Sequence, residues 1–110
     1  MTDKTYQAAI YIAGDLAEIK KLCREFCFNS DPCICVAVTP TEFIYSGVSE
    51  TGAAVGFINY PRFSRPPEII WEYATSLAMN LMLKTFQRSC TIVATDKTLF
   101  YQNPNYQHKG

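Results

Sequence analysis

Two segments with helical spacing, each following an apolar segment of strand type, constrain the fold of this chain most strongly. Asp15 precedes the first and Glu18 stands three residues later, which is a variant of the capping box. The spacing predicts an amphipathic helix over 15–28. A second helix is predicted from Pro67, a residue type suited to a first helical turn, to about Arg88. The apolar residues of the first helix recur at intervals of three and four: Leu16, Ile19, Leu22, Cys23, Phe26 and Cys27.

Segments rich in β-branched and aromatic residues predict strands before, between and after the helices. Thr39-Pro40-Thr41 is predicted to break one apolar stretch, and Gly56 inside a strand indicates a bulge or a close backbone approach. The polar, glycine-rich segment 47–52 is predicted to be a turn. The predicted strands are 6–13, 33–38, 42–46, 53–58, 89–95 and 98–101.

The resulting order is β-α-β-β-β-α-β-β. Two helices on one side of a mostly antiparallel sheet form a two-layer α+β sandwich. We predict a ferredoxin-like arrangement with one extra hairpin.

Length and composition predict one domain over residues 1–110, with an ordered core over about 5–101 and a polar tail over 102–110. Ten acidic and ten basic residues cancel, which argues against a long nucleic acid as partner. No stretch has the pattern of a signal peptide or of a membrane span. We therefore predict a cytoplasmic protein with reduced thiols.

The segment between the last inner strand and the second helix concentrates ligand-binding residue types. Arginine presents a planar fork to phosphate or carboxylate, aromatic rings stack on flat ligands, and an amide can bind a ring edge. These residues predict a site for a small anionic, nucleotide-like ligand. Alternatively, the prolines of this segment only stiffen a crossover and the arginines are solvated. The predicted ligand-binding residues are Asn59, Tyr60, Arg62, Phe63, Arg65 and Trp71.

The apolar arc of the second helix is wider than contact with one sheet requires. Either the helix is deeply buried in its own core, or part of its surface mediates self-association. On the second interpretation the chain forms a homo-oligomer. Its predicted interface residues are Trp71, Met79, Met82 and Phe86.

Four cysteines fall within thirteen residues, at Cys23, Cys27, Cys33 and Cys35. They could converge where the first helix packs on the sheet. Packing in the core is favoured over a metal or redox site, because the spacing is not that of a zinc site.

Residue types for acid–base catalysis are scarce. The only histidine, His108, falls in the predicted tail, and no common catalytic or nucleotide-binding motif occurs. Glu68 and Glu72 at the start of the second helix fit capping better than general-base catalysis. We therefore predict no catalytic residue, no metal and no cofactor, and binding in preference to catalysis.

Five segments together resemble a family of small, single-domain accessory proteins of tailed phages. They are Tyr11-Ile12-Ala13-Gly14-Asp15, Cys23-Arg24-Glu25-Phe26-Cys27, Val38-Thr39-Pro40-Thr41, Phe43-Ile44-Tyr45 and Val55-Gly56-Phe57-Ile58-Asn59-Tyr60-Pro61-Arg62-Phe63. The resemblance covers most of residues 6–101, and the turn Asn29-Ser30-Asp31-Pro32 departs from it. It implies a context in which small proteins inhibit host systems, some by sequestering nucleotide immune signals.

Residues and resemblance together predict a non-enzymatic binding protein. It would sequester a phosphate-bearing small molecule, such as a nucleotide immune signal, and thus act against host defence. The alternative is a protein–protein inhibitor of a host defence or regulatory protein. A third interpretation is a cysteine-metal protein or a small enzyme.

Overall fold

A five-stranded antiparallel sheet and two helices form the described part of the chain, which in this computed structural model comprises residues 6–30, 34–58 and 65–104. The spatial strand order is β2-β3-β1-β4-β5, and each neighbouring pair is antiparallel. This confirms the predicted α+β sandwich of ferredoxin-like type, with one extra strand at an edge. The elements are β1 (Gln7–Ala13), α1 (Leu16–Phe28), β2 (Val36–Tyr45), β3 (Val48–Ile58), α2 (Pro67–Lys84), β4 (Ser89–Ala94) and β5 (Thr98–Gln102).

The core lies between the helices and one face of the sheet. Alternate residues of the central strands point into it, because successive side chains of a strand face opposite ways. Helix α2 packs against β1, β4 and α1, whereas α1 packs against β2 and β3. The helices cover only this face of the sheet. Its buried side chains include Ala8, Ile10, Ile12, Ala53, Val55, Phe57, Cys90 and Ile92.

Both helices begin where the sequence predicts. The Glu18 N–H donates to Asp15 Oδ2 at 3.0 Å, which satisfies a donor of the first turn of α1. Pro67 occupies the first turn of α2. This helix ends four residues before the predicted limit, since Phe86 adopts a φ of 58°. The Gln87 N–H then donates to the Met82 carbonyl at 2.9 Å, as in a Schellman motif.

Between the helices the chain forms two strands, whereas the sequence predicts three. β2 runs without a break through Thr39-Pro40-Thr41, because it is an edge strand and pairs only with β3. Proline is tolerated on an edge, where its missing N–H interrupts no second ladder. The predicted turn over 47–52 is also too long. The turn consists of Ser46 and Gly47, whose φ angles of 47° and 76° suit a two-residue hairpin.

The close backbone approach in β3 occurs at Gly52. A Cβ at this position would lie 2.2 Å from the Ile12 carbonyl oxygen. Gly56 pairs in regular register with Ala9 and Ala37, and the nearest atom to a Cβ there would be 3.8 Å away. The prediction of a bulge or close approach at Gly56 is therefore wrong.

Two residues of the predicted tail belong to the fold. Gln102 pairs with Ser89 in the β4–β5 hairpin, and Asn103 is buried. The Asn103 N–H donates to the Arg88 carbonyl at 2.8 Å, and its Nδ2 donates to the Gln87 carbonyl at 2.9 Å. His108 lies outside the described residues. In the ranges that the structure describes, no helix is long and apolar enough to cross a membrane.

Candidate functional site

One end of the sheet, which we call the loop end, is where β3 and β4 finish and where β1, β2 and α2 begin. The predicted ligand segment leaves β3 after Ile58 at this end and returns at Arg65. Arg65 is partly buried and directly precedes Pro66, the N-cap residue of α2. Trp71 is partly buried on α2 and packs against the core. The remaining predicted ligand residues, Asn59, Tyr60, Arg62 and Phe63, lie outside the described residues.

Tyr6 places its hydroxyl group at the loop end. Its side chain is 7% exposed, and burial raises the pKa of its hydroxyl. The Asp96 carboxylate raises this pKa further through its charge and a hydrogen bond, and the Glu68 charge adds to the effect. The chain before the turn is held to β1, because the Thr95 N–H donates to the Gln7 carbonyl at 2.9 Å. Two carboxylates from separate elements thus act on one phenol hydroxyl.

A cation lies on the aromatic ring beside this group. Lys97 Nζ is 4.4 Å from the ring centroid of Trp71, within the range of a cation–π interaction. Glu68 precedes Trp71 by three residues on α2, so the two side chains share a helix face. The loop end therefore combines two carboxylates, an ammonium group and an indole ring.

Sequence reasoning missed Tyr6, Asp96 and Lys97 as candidate site residues. It treated Tyr6 as part of a strand, whereas β1 begins at Gln7, and it treated Asp96-Lys97 as a hairpin turn, which the β4–β5 pairing confirms. The missing information was the pairing of β1 with β4, which brings the start of one strand to the end of the other. Glu68 is a candidate general base in the sequence, where its position at the start of α2 favours helix capping instead.

The face of the sheet that the helices leave uncovered, which we call the open face, carries several exposed apolar side chains among polar ones. Exposed antiparallel sheet faces are commonly polar. Here Tyr11, Val93 and Phe100 are exposed on it. Ala9, Gly56 and Ala37 lie side by side in register and leave a trough of about 450 Å³. Gln7, Ile58 and Thr95 line the trough where it meets the loop end.

The residues of the predicted oligomer interface do not form one surface in the structure. Met82 is 1% exposed and belongs to the core, so its side chain offers no surface to a partner. Met79 and Phe86 are exposed, whereas Trp71 lies against Lys97. The wide apolar arc of α2 follows from its packing on both the sheet and α1. This corresponds to the deep-burial interpretation, and the assignment of Met82 to an interface is corrected.

Three cysteines line one cavity of about 440 Å³ between α1 and β2. Cys23 is buried, Cys27 is partly buried and Cys35 is exposed, while Cys33 lies outside the described residues. Burial raises the pKa of the Cys23 thiol to about 11, so it stays protonated at neutral pH. Within the described ranges, no three His, Cys, Asp or Glu side chains are arranged to hold a metal ion. Cys23 therefore acts as a small core residue.

The fold is that of a small two-layer α+β protein, and comparison with solved structures gives two examples of it. No protein-family model and no curated protein sequence matches this chain. A phage SAM lyase in its apo state superposes with a TM-score of 0.67 at 10% identity, over 97% of this chain and 99% of that one. A phage SAM lyase in complex with S-methyl-5′-thioadenosine gives a TM-score of 0.62 at 12% identity, over 97% and 96%.

These matches show a shared fold and correct one prediction. Both similar structures are phage proteins, which supports a relationship to phage proteins but does not identify the predicted accessory family. Both are also enzymes, and one binds a small nucleoside-like molecule. The prediction that the chain is not an enzyme is contradicted, because both similar structures of the same fold are enzymes. A nucleotide-like ligand remains compatible with the fold.

Proposed function

We propose that this protein is a lyase that cleaves SAM (S-adenosylmethionine) and releases S-methyl-5′-thioadenosine. One observation carries the proposal: two phage SAM lyases share the fold over nearly the whole of both chains. The acidic and aromatic character of the loop end supports it, since the sulfur of SAM carries a positive charge. Carboxylates at Glu68 and Asp96 are suited to offset that charge.

Cleavage of SAM requires few catalytic side chains. Breaking the bond between the sulfonium sulfur and Cγ of the amino-acid part sends the electron pair to sulfur and leaves a neutral thioether. The carbon fragment closes to a lactone if its own carboxylate oxygen attacks Cγ, and no proton then moves. Alternatively, a base removes a proton from Cβ and an alkene forms. The lactone route requires only positioning, and oriented intramolecular reactions reach effective molarities of about 10⁵–10⁸ M.

We assign the binding roles to the loop end. The predicted arginines Arg62 and Arg65 would hold the amino-acid carboxylate of SAM, because a guanidinium group matches its geometry. Tyr60 and Phe63 would stack on the adenine ring, and Asn59 would bind its edge. Cleavage of SAM would deprive SAM-dependent host enzymes of substrate. Such a loss of SAM would be the chemical basis of the anti-defence role that the sequence predicts.

Turnover is the decisive measurement. Purified protein is incubated with SAM, and S-methyl-5′-thioadenosine is quantified by mass spectrometry against a protein-free blank, since SAM also decays in solution. We expect catalytic release and a large loss in a Glu68→Gln variant, with an exposed α1 substitution, Lys21→Gln, as control. Detection of the lactone or of the alkene identifies the route. Stoichiometric binding without turnover, or no product above the blank, would refute the proposal.

We also propose that a second copy of the chain covers the open face and closes the trough. The sequence predicts a homo-oligomer, and the apolar side chains of this face supply a more extensive surface than α2 does. The zero net charge adds no long-range repulsion between copies. The oligomer would then complete a pocket where the trough meets the loop end.

Two substitutions of equal exposure separate this surface from the interface predicted on α2. Val93 on the open face is 40% exposed and Met79 on α2 is 42% exposed. We expect Val93→Lys to reduce the oligomer to monomers in light scattering and Met79→Lys to leave it intact. The reverse result would restore the α2 interface, and a monomeric parent protein would refute the assembly.

A further inference from the structure

The indole ring of Trp71 is held in a fixed position with a cation on it. Trp71 is the only tryptophan of the chain, and its side chain packs against the hydrophobic core. Lys97 approaches to 4.4 Å from the ring centroid. The turn that carries Lys97 is closed by the Ala94 N–H, which donates to the Lys97 carbonyl at 2.7 Å. Both partners are therefore positioned by the backbone.

The surroundings of this ring favour positive charge. Glu68 lies on the same helix face one turn earlier, and Asp96 immediately precedes Lys97 in the turn. Both carboxylates raise the pKa of the Tyr6 hydroxyl, which assigns both of them to the loop end. An aromatic ring that already holds a cation, with acidic residues on the same helix face and in the adjoining turn, is suited to recognise organic cations that cannot donate a hydrogen bond.

We propose that the indole face of Trp71 recognises the sulfonium group of SAM and that Lys97 occupies this face until the substrate displaces it. The proposal rests on the function proposed above and names its specificity-determining pair. An ammonium group is strongly hydrated and returns to water readily, whereas a sulfonium group has no N–H with which to bind water. The thioether product is neutral, so it makes no cation–π interaction with the ring. Lys97 would therefore return to the ring as product forms.

Competition between Lys97 and a sulfonium group for the Trp71 ring determines how much a Lys97 substitution should change sulfonium affinity. An exposed cation–π contact changes affinity by about 2- to 5-fold. Removing the lysine charge should therefore tighten sulfonium binding by about this factor, because the ring no longer has an internal occupant. Binding of the neutral thioether should change less. A residue that only stabilises the hairpin turn would show no such preference for a cation.

Fluorescence of the single tryptophan provides a direct readout. The protein is titrated with trimethylsulfonium chloride, with S-methyl-5′-thioadenosine and with sodium chloride as ionic-strength control. We expect trimethylsulfonium to change the emission of Trp71, and Lys97→Gln to bind it about 2- to 5-fold more tightly. Lys97→Arg retains a cation that is less hydrated than lysine and stacks on rings, so it should bind trimethylsulfonium no more tightly than the parent does. Lys84→Gln, at the far end of α2, should also behave like the parent.

The outcomes separate this proposal from the proposed function. Unchanged or weaker sulfonium binding by Lys97→Gln, or a response equal to that of sodium chloride, would overturn the role of the Trp71–Lys97 pair even if SAM is cleaved. A specific response that strengthens in Lys97→Gln without any cleavage of SAM would support the cation site and refute the lyase. A Trp71→Leu variant, followed by calorimetry, should lose the sulfonium response.

Discussion

Replacing Gly52 with alanine should destabilise this fold severely, because the new methyl group has no room. Gly52 pairs with Ala13 of β1, the central strand of the sheet. The added Cβ would lie 2.2 Å from the Ile12 carbonyl oxygen and 2.6 Å from the Ala13 Cα atom. Both are backbone atoms, so no side chain can rotate to relieve the contact.

The cost follows from the displacement that the methyl group requires. Restoring an ordinary contact means moving β1 and β3 apart by roughly 1 Å, and overpacking of this kind costs about 1–3 kcal/mol. The adjacent hydrogen bond from the Gly14 N–H to the Thr51 carbonyl, 2.9 Å long, would weaken as well. A lost hydrogen bond adds about 0.5–1.5 kcal/mol. We expect Gly52→Ala to lower the free energy of unfolding by about 2–4 kcal/mol.

A second glycine of the same strand is the matched control. Gly56 faces the same side of the sheet, and the nearest atom to an added Cβ would be 3.8 Å away. Gly56→Ala should be neutral or stabilise the fold by about 0.4–1 kcal/mol, because alanine reduces the entropy of the unfolded chain. Urea unfolding at one fixed protein concentration, followed by circular dichroism, measures both variants. Equal free energies of unfolding for the two variants would refute the argument.

Three further predictions concern capping, thiol reactivity and pH. Asp15→Ala should lower the free energy of unfolding, measured in urea, by about 0.5–2 kcal/mol. Asp15→Ser should recover most of this loss, because the serine hydroxyl can accept a hydrogen bond from the Glu18 N–H. Equal losses in the two variants would contradict the capping role of Asp15. Iodoacetamide at about pH 8 should modify exposed Cys35 well before Cys23 and Cys90. Burial raises the pKa of these two thiols to about 11, and early alkylation of Cys90 in peptide mass spectra would be inconsistent with its position. Folding favours their neutral form, so this stability is fully present below the ordinary thiol pKa of 9.0 and is lost as the pH rises towards 11. Cys90→Ala should therefore reduce the fall in Tm across that interval, and an unchanged fall would exclude the thiol as its cause.

Local patterns in the sequence are sufficient for the helix starts and for the fold class. The Asp15 cap, Pro67 in the first turn and the periodicity of α1 involve residues within one or two helical turns of each other. Such interactions depend little on the rest of the chain, so their prediction succeeds. Helix α2 was predicted too long, because its end depends on the left-handed conformation of Phe86, a residue type that seldom adopts it.

The errors in the sheet have a long-range cause. Pro40 interrupts a strand in most contexts, but here it lies on an edge, and which strand forms the edge depends on the pairing of all five. The close approach at Gly52 likewise requires that β3 lies beside β1, which local sequence does not reveal. The sequence pattern therefore assigned the close approach to Gly56 and placed Gly52 in a turn, and both assignments are wrong.

Some residues of the candidate site can also be predicted from the sequence, and others cannot. Trp71 and the arginine-bearing segment are evident from residue types alone, since few other positions concentrate rings and guanidinium groups. Tyr6, Glu68 and Asp96 come from three separate parts of the chain and meet only because β1 pairs with β4 and α2 packs across both. Sequence patterns record which neighbours are close along the chain. Assembly of the sheet determines which distant charges come close to one another, and only the tertiary structure shows this.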